Sequence, residues 1–272
     1  MMKICSLYSG SRGNAVFMEC GGKKLLIDAG KSARTLQNSL KSIGQSFDSL
    51  DAILITHEHC DHISALETIS SEAGIPIHAA GGCADKLASI PAPYLQANLI
   101  CHPPVYRLDL DGVTVTSFTT PHDSACSVGY RIEWQENGIT RRVGYATDVG
   151  YLSDEVVDGL MGCEAVVIEA NHDVDMLRDG PYPYHLKQRI LSRRGHLCNT
   201  DCALLSAKLV ACGTRHLLLA HISDKNNDPA IAYDEVFGAI GDHSVTLLAA
   251  DPKLPTRLVW EETSKEEPIC ST

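Results

Sequence analysis

The chain has 272 residues, 44% of them hydrophobic, enough for one large core or two small ones. With 34 acidic against 23 basic side chains and a net charge of −11, broad unspecific binding to nucleic acid is disfavoured, although a local basic groove is not. There is no run of about 18 apolar residues, so no membrane span is expected, and the N-terminus lacks an apolar signal segment, which points to the cytoplasm.

Taken in order, residues 4–8 read as a first strand. Ser9-Gly10-Ser11-Arg12-Gly13-Asn14 follows as a tight polar turn. It lacks the spacing of a phosphate-binding P-loop; a turn presenting backbone amides and a plain hairpin both fit. Strands over 15–19 and 24–27 flank the Gly21-Gly22 hairpin. Asp28 ends the second of them, either as a helix cap or as a group that orients metal-binding histidines from behind. Ala33, Leu36, Leu40 and Ile43 have helical spacing, and Gly44 stops that helix.

The densest chemistry is at Thr56-His57-Glu58-His59-Cys60-Asp61-His62, with three imidazoles and two carboxylates in seven residues. It follows the apolar run 52–55, a short buried strand, and precedes a helix over 63–73. Strand alternation aims His57 and His59 the same way, while Asp61 and His62 close on a second point from the helix start. That arrangement suits two adjacent metal ions.

Beyond it, 75–79 reads as a strand with a structural His78. Residues 81–104 carry four prolines and read as an irregular wall or lid. Strands over 113–119, 128–134, 142–146, 165–168 and 217–220 deliver His122, Asp148, Glu169 and His221 at or near their ends; Asn137-Gly138 marks a hairpin turn. Residues 184–194 form an amphipathic helix, and Asn199 or Thr200 caps another running to about 211, with Gly213 beyond its end. The tail from about 261 is polar and expected to be mobile. The eleven scattered Cys read as reduced thiols; Cys198 and Cys202 lie four apart on a helix, but no second pair stands at zinc-site spacing. The chain is expected to form one α/β domain over 1–272, with two sheet-and-helix halves dividing near 135.

Asp28, the His57-x-His59-x-Asp61-His62 cluster, His122, Asp148 and His221 together resemble the five ordered motifs of the metallo-β-lactamase fold. Ser9–Asn14, Glu169-Ala-Asn-His-Asp173, Gly195-His-Leu-Cys-Asn199 and Ala220-His-Ile-Ser223 are similar to the YycJ (WalJ) type, and the second half also resembles the tRNase Z layout. The resemblance implies a four-layer αββα sandwich and two divalent ions, Zn or Mn. One ion would be held by His57, His59 and His122, the other by Asp61, His62 and His221, with Asp148 bridging and Asp28 behind. It further implies phosphodiester cleavage, with DNA as substrate and exonuclease action at the 5′ end. Two ions would bring about four positive charges to the site. Asp61 would orient or deprotonate water, and His196, held by Glu169, would protonate the leaving group. Ser11, Arg12, Asn14, Asn171 and His172 are candidate substrate contacts, and Arg12, Arg193 and Arg194 could meet backbone phosphates. Cys60 stands where a small hydroxyl residue or Ala is common in the family and is expected to face away from the metals. A hydrolase of a small phosphodiester or thioester, and a non-enzymatic metal-binding scaffold, are the competing readings; fold alone does not choose among them.

Overall fold

The computed structural model describes residues 2–260; the tail expected to be mobile lies outside them. The first part of the chain comprises β1 (Met2–Tyr8), β2 (Ala15–Cys20), β3 (Lys23–Ile27), α1 (Ala33–Ser42), β4 (Ala52–Leu54), α2 (Cys60–Ile63), α3 (Leu66–Ala73), β5 (Ile77–Ala80), α4 (Gly81–Ala88), α5 (Pro93–Asn98) and β6 (Leu99–His102). There follow β7 (Arg107–Leu110), β8 (Val113–Thr119), β9 (Val128–Glu136), β10 (Ile139–Ala146), α6 (Asp154–Leu160), β11 (Ala165–Glu169), α7 (Val174–Asp179), α8 (Tyr184–Ile190), α9 (Asn199–Ala211), β12 (His216–Ala220), α10 (Pro229–Ile240), β13 (Thr246–Ala249) and β14 (Thr256–Trp260).

These strands make two seven-stranded sheets, ordered β14-β1-β2-β3-β4-β5-β6 and β13-β12-β11-β10-β9-β8-β7. Each sheet is antiparallel on one side and parallel on the other, the change falling at β3–β4 in the first and at β10–β11 in the second. The chain crosses between sheets at 103–106, whereas residue 135 lies inside β9. Asn137-Gly138 does turn the chain, but between two neighbours of one sheet.

Strand alternation builds the layers. Ile4, Met18, Leu25 and Ile27 meet Val115, Tyr130, Val143, Val167 and Leu218 between the sheets. Phe17, Leu26 and Ile53 point outward onto Leu36, Leu40, Leu66 and Ile69 of α1 and α3. Val166, Ile168, Leu217 and Leu219 face Leu160 of α6, Leu205 and Leu209 of α9 and Val236 of α10. The result is the helix–sheet–sheet–helix sandwich that the resemblance implied.

Several local expectations are corrected. The helix over 63–73 is broken, because Ala29 N–H bonds to His62 O (2.7 Å) and Ala65 N–H to Ala29 O (2.9 Å). The Asp28–Gly30 loop thus takes backbone groups that a continuous helix would use. Residues 81–104 are ordered as α4, α5 and β6; Pro93 stands in the first turn of α5, where a missing N–H costs nothing. The helix from Tyr184 stops at Ile190. The residue capping α9 is Cys198, with no side-chain cap bond. Three helices, α6, α7 and α10, went unpredicted although Ser153 accepts from Val156 N–H, Asp173 from Met176 N–H and Asp228, followed by Pro229, from Ala230 N–H, all ordinary start signals.

Candidate metal centre

Three residues of the cluster leave their strands in the left-handed backbone region that non-glycine residues avoid: Asp28 (φ 62°) after β3, Asp148 (φ 57°) after β10 and His221 (φ 55°) after β12. Such strain persists where the surroundings impose it and is common at functional sites. It turns the three side chains toward one point at the edge of the two sheets, where the 57–62 segment arrives from β4.

Four imidazoles have one ring nitrogen engaged and the other directed inward. His62 Nδ1 lies 2.8 Å from Asp28 Oδ2, and His57 Nδ1 lies 3.0 Å from Thr56 Oγ1, which donates to Asp28 Oδ2 (2.8 Å). His122 Nδ1 donates to Gly195 O (3.0 Å), and His221 Nδ1 lies 2.7 Å from Glu169 Oε1. A ring nitrogen tied in this way leaves the opposite lone pair for a metal. The inward atoms converge on Asp148. Its Oδ2 is 3.5 Å from His62 Nε2, and its Oδ1 is 3.7 Å from His122 Nε2 and 3.7 Å from His221 Nε2. His57, His59 and His122 form one group of donors, and Asp61, His62 and His221 another, each within 4.8 Å. Asp148 joins His57 and His62 in a further group.

Buried polar atoms here ask for a cation. Asp148 Oδ2 and His221 Nε2 are enclosed and make no hydrogen bond among the described residues, which is costly unless something else satisfies them. His57 Nε2 and His59 Nδ1 face each other at 2.9 Å. The charge states agree. Burial pushes the Asp148 carboxyl up, but His221, His62, His57 and His122 outweigh it and hold it well below the usual carboxylate range. Burial likewise opposes ionisation of Glu169, yet His196 and His221 bring it down to about 2. A set of imidazoles with two inward carboxylates suits divalent ions, so the residues present fit the metals the fold family implies.

The remaining expected residues fall into distinct places. Glu169 is fully buried; its Oε2 accepts Val149 N–H (2.7 Å) and Leu197 N–H (3.0 Å), and its Oε1 is 2.8 Å from His196 Nδ1. His196 and Ser11 line the cavity of about 250 Å³ above the cluster, together with Asp61 and Asn171. Asn171 also donates to His221 O (2.8 Å). Asn14 is instead buried behind Asp61: its N–H bonds to Asp61 O (2.8 Å) and its side-chain amide donates to Asp61 Oδ2 (3.3 Å). It holds the cluster's carboxylate and does not line the cavity. His172 is buried away from the cavity, its imidazole pushed down to about 4 by burial. Arg12 lies in a neighbouring cavity and pairs with Asp224 (3.3 Å). Cys60 is exposed, and among the described residues neither Cys60, Cys198 nor Cys202 belongs to a donor group. His78 is paired with His102 (2.9 Å) on the first sheet, outside the donor groups.

Residues 23–222 match the family described as beta-lactamase superfamily domain. The chain is 33% identical over 264 residues to exodeoxyribonuclease YycJ of Bacillus anthracis, covering 93% of this chain and 97% of that protein. The chain belongs to the metallo-β-lactamase superfamily. Within it the chain groups with the YycJ and WalJ proteins, since exodeoxyribonuclease WalJ of Streptococcus pneumoniae is also 33% identical, over 235 residues and 85% of each chain. The metallo-β-lactamase fold protein YhfI from Bacillus subtilis superposes with a TM-score of 0.71 at 18% identity, over 94% of this chain and 98% of that one. The short form of human tRNase Z gives 0.63 at 19%, over 93% and 98%; both likenesses concern the fold. Among the described residues no helix is long and apolar enough to cross a membrane.

Two supports of this metallo-β-lactamase site were not legible beforehand. Thr56, which bridges Asp28 and His57, carries no metal-binding chemistry and only the strand–helix junction hinted at it. Ser9 Oγ accepts the His221 N–H (2.5 Å), joining residues 212 apart. Asp28→Ala is expected to weaken divalent-ion binding about 10- to 100-fold, as removal of such outer partners does. Competition against a chromophoric chelator measures it; unchanged affinity would detach His62 from the donor set.

Proposed function

We propose that the protein is an exodeoxyribonuclease that hydrolyses phosphodiester bonds with two divalent ions, zinc or manganese, held by His57, His59 and His122 and by Asp61, His62 and His221, with Asp148 between them. The whole chain acts as one domain, in the cytoplasm. The observation that carries the reading is the convergence of six donors around Asp148, whose buried Oδ2 makes no hydrogen bond among the described residues, in a chain that matches an exodeoxyribonuclease over nearly its full length.

Bound ions supply Lewis acidity toward a phosphate oxygen and an activated water. The rest follows from this chain's side chains. Asp61, fixed by Asn14, faces the cavity and takes a hydrogen bond from the attacking water. Asp28 and Thr56 hold the His62 and His57 rings. Glu169 Oε1 receives His196 Nδ1–H, which leaves His196 Nε2 to deliver a proton to the leaving alkoxide. Glu169, anionic and buried, fixes the His196 ring through Nδ1.

The test uses metal-loaded protein with 5′- and 3′-labelled DNA and RNA. Release of nucleotides from DNA ends, faster than from RNA and faster than cleavage of a small chromogenic diester, is expected. No release with either ion overturns the reading. His196→Ala should lower kcat on DNA about 100-fold and barely affect a nitrophenyl diester, whose leaving group needs no proton. Equal losses on both substrates would remove the acid role.

A further inference from the structure

One carboxylate of the Thr56–His62 segment has no place in the metal centre described above. Glu58 stands between His57 and His59, yet it belongs to no donor group among the described residues. Its side chain is 7% exposed, and a carboxylate withdrawn from water is costly unless it is held. Its Oε1 accepts the Ala125 N–H (2.8 Å) and a bond from Lys86 Nζ of α4 (2.7 Å). Its Oε2 is enclosed and makes no hydrogen bond among the described residues. Lys86 is 60% exposed, so this ion pair contributes little to stability. A methionine of similar length would fill the space without burying a charge.

The Ala125 contact spans the two sheets. Ile55 O accepts from Tyr130 Oη–H (2.6 Å) and Thr56 O from Val128 N–H (3.1 Å), so the segment leaving β4 runs along the start of β9. Residues 120–127, between β8 and β9, form the loop that carries His122. Thr120 closes it at its base, with its N–H to Ser127 O (2.9 Å) and its Oγ1 2.7 Å from Ser127 Oγ. Glu58 grips this loop beyond that closure, three residues after His122. The start of α4 backs the same spot: a Cβ on Gly82 would stand 3.0 Å from Ala125 Cβ, and one on Gly81 2.8 Å from Cys126 Sγ. A single carboxylate thus ties His57 and His59, on its own segment, to the loop of His122, and these three are one complete donor group. The other group is held elsewhere: Asp61 by Asn14 (3.3 Å), His62 by Asp28 (2.8 Å) and His221 by Glu169 (2.7 Å).

Resting on the two-ion reading, we propose that Glu58 is a positioning residue for the all-histidine half of the centre alone. Through Ala125 it sets the distance between the His57–His59 pair and His122, and with it the affinity of that half for its ion. Glu58 does not touch the ion; it acts by holding ligands that come from two different sheets, as outer partners of metal ligands do. The two halves then have separate supports and can be weakened one at a time.

The test strips the full chain of metal and titrates it with zinc against a chromophoric chelator, resolving two binding steps. Glu58→Met keeps the side-chain length but accepts no hydrogen bond. It should weaken one step about 10- to 100-fold and leave the other as in the parent. Glu58→Gln, whose amide oxygen still accepts the Ala125 N–H, should restore the weakened step. Asn14→Ala should weaken the step that Glu58→Met spares. A general loss of packing would lower both steps together, so equal losses in Glu58→Met overturn the proposal. Two unchanged steps overturn it as well, as does a Glu58→Gln that binds as poorly as Glu58→Met, or an Asn14→Ala that weakens the same step. A parent that takes up a single ion sinks the two-ion reading alone. Glu58 then keeps its role if Glu58→Met weakens that ion and Glu58→Gln restores it, and loses it otherwise.

Discussion

Asp148→Asn should reduce DNA hydrolysis at least about 1,000-fold, roughly 4 kcal/mol of transition-state stabilisation. The change preserves shape and removes one of two carboxylates that face the donor cluster. Asp148 lies within 3.7 Å of His62, His122 and His221, so its charge touches ligands from both donor groups. Elemental analysis should show metal content falling below two ions per chain. Full occupancy with full activity would end the assignment of Asp148 as the bridge.

The same variant has a signature without metal. Burial opposes charge on His62, but Asp28 and Asp148 outweigh it and raise the ring to about 9. Burial likewise opposes charge on His221, while Asp148 and Glu169 raise it to about 10. Groups raised in the folded state contribute stability that is complete below the unfolded value near 6.5 and disappears as pH climbs through 9 to 10. The metal-free protein should therefore lose stability across that alkaline window, and Asp148→Asn should flatten the loss. Urea titrations between pH 6.5 and 10 measure it.

Gly30→Ala should be strongly destabilising, since a Cβ there makes the closest approach at any described glycine. Gly30 does not need an unusual φ; it needs space. A Cβ would stand 1.5 Å from Asp61 O and 2.6 Å from Asn14 N. At that point three segments are laced together: Gly30 N–H to Asn14 O (2.9 Å), Asn14 N–H to Asp61 O (2.8 Å) and Ala29 N–H to His62 O (2.7 Å). The contacted atoms are backbone, so relief means moving Asp61 and His62 by more than an ångström. Overpacking costs about 3 kcal/mol, a fall in Tm of roughly 6–12 °C, and a displacement of about 1 Å costs about 100-fold or more in rate. Thermal unfolding and kcat on DNA check both. A variant with unchanged Tm and rate would show that the loop yields freely, contrary to the close packing described.

Some of this architecture could be read without coordinates, and the reason is local. His57 follows β4, Asp148 follows β10 and His221 follows β12, each a strand ending in apolar residues, so strand ends and chemistry were visible together. The two-sheet sandwich itself came from the resemblance; β8 alternates, but β11 is a continuous apolar run that names a buried strand and no sheet. The roles of Asp28 behind the cluster and of His122 and Asp148 within it came from their order along the chain, which the resemblance supplied. Helices α6, α7 and α10 were missed despite ordinary caps, because their apolar periodicity is short.

Long-range contacts decided the remainder. Asn14 looks like a substrate contact in a polar turn; only folding shows that its amide faces Asp61, 47 residues away. The helix break after Ile63 depends on carbonyl and amide groups claimed by a loop thirty-odd residues earlier. Arg193 and Arg194 read equally as phosphate contacts or as a solvated face of one helix; the fold ends that helix at Ile190, and Gly150 lets their loop pack against the loop carrying Asp148. The sequence by itself determined which chemistry stands at which strand end, since that follows from nearest neighbours and period. Only the tertiary structure decided which of those groups face inward, which stand behind them and which cations border the cavity, since those facts depend on segments that meet only after the sheets have packed.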